Sequence, residues 1–264
     1  MPSQVIINAD DFGINAKENR VILAALRQGV VSSTTLMANM PGLAEACDLV
    51  RSEGLQGRVG LHLNLSHGRP LTQALAGERL FCNAQGEFDP HLSHYRLRLP
   101  QATRRALDEE MEAQWQKCLD HGVHLTHLDS HQHMHNIWPI GVQMARFAAR
   151  KGVPMRLVRN LGGNIGWVKR LYKTLLNRRL RALADASADY VCTPADLLDR
   201  TLPRTGTLEV IAHPYLLTEG FGDDYLADGQ SLDELLAERL AGVPRVTYTA
   251  LAQRPAPCND GVAY

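Results

Sequence analysis

No Cys-x-x-Cys pair occurs in this 264-residue chain. Its five cysteines (Cys47, Cys82, Cys118, Cys192 and Cys258) are odd in number and scattered. That excludes a disulfide scaffold and a thiolate zinc centre, and it points to a reducing compartment. Net charge is missing as well. With 28 basic residues against 28 acidic ones, composition offers no electrostatic case for a nucleic acid or an anionic membrane as partner. One basic run, residues 169–181, alternates with apolar residues and reads as a solvated helix face. There is no low-complexity tract and no repeat beyond a strand–helix unit. No apolar stretch is long enough to span a bilayer, and no charged leader or lipidation signal precedes Val5-Ile6-Ile7. The expectation is a soluble cytoplasmic protein without membrane insertion.

What is present is a 45% hydrophobic chain, long enough to bury a sizeable core as one domain over residues 1–264. Short β-branched or apolar runs predict strands at 5–8, 30–38, 58–65, 125–129, 154–158, 189–192, 207–212 and 245–248. Helical patterns fall between most of them, at 16–28, 42–51, 101–121, 139–150, 165–184 and 231–241. Asn15 followed by Glu18 is a capping-box-like start for the first helix. Leu107, Met111, Trp115 and Leu119 form a four-residue stripe that should face the core. Alternation of strand and helix predicts an α/β fold: a β/α barrel-like domain of seven or eight mostly parallel strands, distorted or incompletely closed. An open doubly wound sheet is the alternative. Two stretches, about 66–100 and 160–186, read as loop insertions, and a connection as long as the first is usually functional. The tail after Arg254 reads as frayed.

Residues with chemical potential fall at the predicted carboxyl ends of strands, which form one rim in parallel α/β folds. Asp10 and Asp11 are adjacent at such an end, so their side chains diverge. One can ligate a cation while the other stays free as a base, although turn or N-cap duty is an equally ordinary use of such acids. His62 interrupts the apolar run Gly60-Leu61-His62-Leu63-Asn64-Leu65, and His213 precedes Pro214, which favours an extended backbone. Each alone reads more readily as a satisfied core histidine than as a ligand. The strongest local signal is His127-Leu128-Asp129-Ser130-His131-Gln132-His133-Met134-His135. While extended, it places four histidines and Asp129 on one face, costly to bury without a cation or a dense hydrogen-bond network. Metal binding without catalysis is the alternative there. Arg156 could pair with Asp10 and keep it ionised, with Arg159 or a structural salt bridge as the alternatives.

Four segments in order, Asn8–Gly13, Gly60–His62, Thr126–His131 and Leu208–Pro214, resemble those of the YdjC-like carbohydrate deacetylases, which include the chitooligosaccharide deacetylases. So do residues 30–35, 68–71 and 83–88, and the similarity runs to about Arg254. The resemblance implies a β/α barrel-like fold and removal of the N-acetyl group from an N-acetylated amino sugar with one divalent metal ion, Mg2+ or Zn2+. It makes Asp11, His62 and His131 the metal ligands, Asp10 the catalytic base and His213 the general acid. His127 and Asp129 would orient His131, and relatives suggest a homodimer. One departure is Ala212, where some relatives carry cysteine before His-Pro. The rivals are another metal-dependent barrel enzyme, such as a phosphoesterase or sugar isomerase, and a catalytically silent metal- or carbohydrate-binding protein. Phosphatases usually need two metals, and isomerases would want more carboxylates or a lysine at the rim.

Overall fold

The computed structural model describes residues 1–93, 95–162, 166–199 and 202–252; Cys258 and the tail after Arg254 lie outside them. In chain order the elements are β1 (Gln4–Phe12), α1 (Ala16–Arg27), β2 (Ser33–Leu36), α2 (Leu43–Ser52), β3 (Val59–Leu63), α3 (Gln73–Ala76), α4 (Gln101–Asp120) and β4 (Leu128–Ser130). A 3-10 turn (His131–Asn136) leads into α5 (Trp138–Lys151), α6 (Trp167–Arg181), β5 (Tyr190–Cys192) and α7 (Pro194–Asp199). Then come β6 (Thr207–Ala212), β7 (Pro214–Leu216), β8 (Phe221–Asp223), α8 (Leu232–Arg239) and α9 (Thr249–Ala252). Six strands form one curled parallel sheet in the order β4-β3-β2-β1-β6-β5, an open, barrel-like α/β architecture.

Two of the predicted strands do not join that sheet. Residues 154–158 make a single bridge, Leu128 to Met155, and residues 245–248 make one, Val5 to Arg245. Physically, each segment is used as a wedge. Arg156 N–H donates to the Leu128 carbonyl (2.9 Å), whereas Leu161 N–H donates to Val191 (3.1 Å), so one strap spans the gap between β4 and β5 without a continuous ladder. The hairpin of β7 and β8 was not anticipated; two three-residue strands around Gly220 (φ +74°) are too short to show a period. The expected α1 cap is present, with Asn15 Oδ1 accepting from Glu18 N–H at 2.9 Å. The α4 stripe is buried at Leu107, Met111 and Trp115.

Strand periodicity decides what fills the curl. On β1, Val5, Ile7 and Ala9 join the core shared with the helices, while Ile6 belongs to a small separate cluster with Ala188, Tyr248 and Leu251. Above Ile6 the inward positions turn polar: Asn8 and Asp10 on β1, Ser33 and Thr35 on β2, His62 on β3, Asp129 on β4, Glu209 on β6. The floor is closed by Tyr248, stacked on the His127 ring at 3.7 Å between centroids. Gly60 makes room for that ring; a Cβ there would lie 2.6 Å from it. Among the described residues, no helix is long and apolar enough to cross a membrane.

Candidate metal centre and its buried support

β1 breaks its register between Ala9 and Phe12, and Asp11 takes a left-handed backbone (φ +68°). Such a conformation costs a non-glycine residue roughly 1–3 kcal/mol and persists where the surroundings impose it. The break separates the two acids. Asp11 emerges at the rim with 20% of its side chain exposed, whereas Asp10 stays buried at 2%.

Around Asp11 Oδ1 stand His131 Nδ1 at 2.7 Å and His62 Nε2 at 3.1 Å, and His213 Nε2 lies 3.8 Å from Oδ2. Asp11, His62 and His131 each offer one donor atom within 4.8 Å of the others. One carboxylate and two imidazoles suit a divalent cation of borderline softness and leave positions open for other oxygen donors. Burial raises the Asp11 pKa, but hydrogen bonds from His131 and His62 outweigh it and hold the carboxyl far below its usual range. His62 is oriented from behind, its Nδ1 bonded to Asp129 Oδ1 at 2.6 Å, which leaves Nε2 facing Asp11. Burial pulls His62 down, yet the Asp129 and Asp10 carboxylates push its pKa up to about 10. This pocket favours positive charge.

Beneath lies a second acidic group. Arg156, wholly buried, holds both oxygens of Asp10 at 2.7 Å, Asp129 Oδ2 at 2.8 Å and Glu209 Oε1 at 2.5 Å. Asp10, His62 and Asp129 also come within 4.8 Å of one another, but the guanidinium already supplies the cation there. Desolvation raises the Asp10 pKa; Arg156, with His62 and His213, more than offsets it and holds Asp10 well below the usual carboxylate range. Glu209 is pushed up, chiefly by burial. Arg159 pairs instead with Asp196 at 2.6 Å.

The histidine run does not share one face. β4 ends at Ser130, and Gln132 and His133 both adopt left-handed backbone angles (φ +49° and +53°), which turn the chain over. His127 points to the floor and contacts Asn8 Oδ1 through Nε2 (3.1 Å). His133 Nε2 reaches Tyr225 OH (3.3 Å), and His135 Nδ1 meets Ser130 Oγ (2.7 Å). Burial lowers all three, His133 to about 4 and the other two well below the ordinary imidazole value. Only His131 reaches the rim cluster. Asp129 meets His62 rather than His131, which corrects the expected orientation.

His213 sits at the β6–β7 junction, 22% exposed. Its backbone N–H donates to Asp223 Oδ2 (2.7 Å), and its ring packs edge-on against Tyr225 at 5.2 Å. Asp10, Asp11 and His213 share the lining of a cleft of about 280 Å³ with Asn15 and Tyr215.

Sequence reasoning assigned no role to Asn8, Thr35, Glu209, Asp223 or Tyr225. Thr35 Oγ1 donates to Asp129 Oδ2 (3.1 Å), contacts His62 Nδ1 (3.2 Å) and accepts from Asn8 Nδ2 (3.1 Å). Nothing distinguishes such a threonine from an ordinary strand residue. Glu209 was legible: an acid inside Leu208-Glu209-Val210-Ile211-Ala212 is costly unless paired.

A family model described as YdjC-like protein matches residues 4–248. A carbohydrate deacetylase of Halalkalibacterium halodurans is 30% identical over 217 residues, covering 82% of this chain and 86% of that protein. A chitooligosaccharide deacetylase of Klebsiella pneumoniae is 32% identical over 219 residues, covering 81% and 82%. A solved Enterococcus faecalis structure, named for cellobiose-phosphate cleavage, superposes with a TM-score of 0.65 at 20% identity, covering 95% of this chain and 99% of that one. That likeness concerns the fold alone.

Proposed function

The chain belongs to the YdjC-like family, and from that premise we propose that it is a metal-dependent hydrolase removing the N-acetyl group from an N-acetylated amino sugar, as an oligosaccharide or glycoconjugate, with release of acetate. The observation that carries this reading is the convergence of Asp11, His62 and His131 at three strand ends, beside Asp10 and His213. One divalent cation, Zn2+ or Mg2+, would be held by those three residues and would polarise the acetyl carbonyl and acidify water. The names of the two relatives support the substrate class.

The chain's own groups then divide the work. Asp10 takes the proton of the attacking water. Kept ionised by Arg156, it is a weak base and suits only water that is already acidic. His213, carrying a proton on Nε2, hands it to the departing amine, which otherwise leaves poorly. Asp129 holds the tautomer of His62, and Arg156 holds Asp10 in place. The deacetylase unit is a single domain spanning residues 1–264. The four free, buried cysteines among the described residues support a reducing, cytoplasmic setting. A homodimer belongs to the same reading and is checked by light scattering.

The test is acetate release from N-acetylglucosamine oligomers by the chelator-treated protein, with Zn2+ or Mg2+ added back singly. Metal-restored acetate supports the proposal. Sugar binding without acetate from any N-acetylated substrate would leave a silent carbohydrate-binding protein, and phosphate release from a sugar phosphate in its place would make it a phosphoesterase.

A further inference from the structure

The outer wall beside the rim carries a surface that this chemistry does not use. α6 closes its inward side with Leu176, Asn177 and Leu180. Its opposite side shows Trp167, Val168, Leu171 and Leu175, exposed at 79%, 52%, 54% and 49%. At helical spacing, 167, 171 and 175 descend as one stripe with 168 beside it. The remaining α6 charges are Lys169, Arg170, Lys173, Arg178, Arg179 and Arg181, with no acid in the helix. The basic run is therefore more than a solvated face: it has an inward apolar side and a second, outward one.

The surface continues across α5. Trp138 N–H donates to Tyr172 OH of α6 at 3.1 Å, and Trp138 also lines a groove of about 720 Å³ between α4 and α5. In that groove stand Arg98, Arg104, Arg105, Arg146 and Arg150, with Asp108 as the single acid. Asp108 lies 3.6 Å from Arg150. The side chains of the other four arginines have no carboxylate within ion-pair distance among the described residues. Zero net charge removed the electrostatic argument for an anionic surface at the level of composition; folding restores it by segregating cations onto one wall.

We propose that this wall docks on an anionic phospholipid bilayer, with α6 lying in the headgroup plane. Trp167, Leu171 and Leu175 enter the acyl boundary, and the flanking arginines meet lipid phosphates. A bilayer is the occupant because the surface pairs an apolar stripe with cations. A nucleic acid backbone would use only the cations. A second copy paired through this same face would bring the flanking Arg178 and Arg179 of both copies into one contact. The chain lies on the membrane and does not span it. The inference is independent of the deacetylase reading.

The test uses the full chain in flotation assays with vesicles of phosphatidylglycerol and phosphatidylcholine in equal parts, against pure phosphatidylcholine. Binding is expected on the anionic vesicles only, weakening in high salt, with a blue shift of tryptophan emission that disappears in Trp167→Phe. Leu171→Glu with Leu175→Glu should abolish flotation, and Arg178→Gln with Arg179→Gln should reduce it on the order of 20-fold. Circular dichroism and acetate release from a soluble oligomer should stay at the parent level in both variants. No flotation of the parent chain overturns the proposal. Flotation untouched by the two glutamates overturns it in favour of general polyanion binding. A parent dimer that the glutamates convert to monomer, without vesicle binding, overturns it in favour of a second copy.

Discussion

Two acidic clusters lie one above the other inside this sheet, and they differ in where their positive charge comes from. Below, Asp10, Asp129 and Glu209 surround Arg156, whose charge is covalent and permanent. Above, Asp11, His62 and His131 face one another at a rim open to solvent, with donor atoms spaced for an exchangeable ion. Similar acids make scaffold where the cation cannot leave and a candidate reaction centre where it can. Asp129 belongs to both, bonded to Arg156 at 2.8 Å and to His62 at 2.6 Å.

That contrast is broken most directly at Arg156. Arg156→Met leaves three buried carboxylates without their partner and should cost about 3–5 kcal/mol of stability, read as a fall in the urea midpoint, with turnover lost. A variant as stable as the parent chain would mean that the lower cluster is not scaffold. Asp10→Asn keeps most of the hydrogen bonds; it should retain metal and fold while turnover drops about 10²–10⁴-fold. Loss of metal together with stability would instead make Asp10 structural or a ligand.

At the upper cluster, His62→Ala and His131→Ala should lose bound metal with the fold kept, as elemental analysis and circular dichroism would read. Unchanged metal in both would sink the ligand assignment. Asp129→Asn sharpens the boundary between clusters: through His62 it should weaken metal affinity about 10–100-fold, and through Arg156 it should also lower stability. An effect on one measurement alone would assign Asp129 to one cluster.

The smallest effect expected of a single group is the pH slope that each remaining ring of the histidine run contributes. His133 is held down to about 4 from 6.5, and His127 and His135 lie well below 6.5, because burial penalises a charged ring. Between those values the unfolded chain binds more protons than the folded one. The stability these rings confer is complete above pH 6.5 and lost as pH falls toward the folded values, at up to about 1.4 kcal/mol per pH unit per ring. Urea midpoints at pH 7 and pH 5 should show it, and His135→Gln should flatten the difference. A slope unchanged by that variant would mean that His135 does not titrate on unfolding.

The rim residues were legible because strand ends with polar residues are rare in an apolar sequence: Asp10-Asp11, His62, His131 and His213 all interrupt or end an apolar run. Six of the eight predicted strands join the sheet because their β-branched and apolar runs satisfy both of its faces. The hidden parts were those decided by partners distant in sequence. Residues 154–158 and 245–248 read as strands locally, but each makes one bridge, since the straps they belong to cross a gap and a floor. The histidine run alternates in sequence, yet two left-handed residues scatter it, and nothing in a Gln-His pair announces φ near +50°.

By itself, the order of residues determined the parallel α/β alternation, the polar strand ends and the family, because periodicity and short motifs are local and survive without knowing the neighbours. Tertiary structure alone decided that Asp10 faces a guanidinium while Asp11 faces two imidazoles, that Asp129 serves His62, and that α6 keeps an apolar stripe outward. Those outcomes depend on which groups, 27 to 146 positions apart, share a few ångströms of low-dielectric space, where burial and a single guanidinium change the energy of every charge.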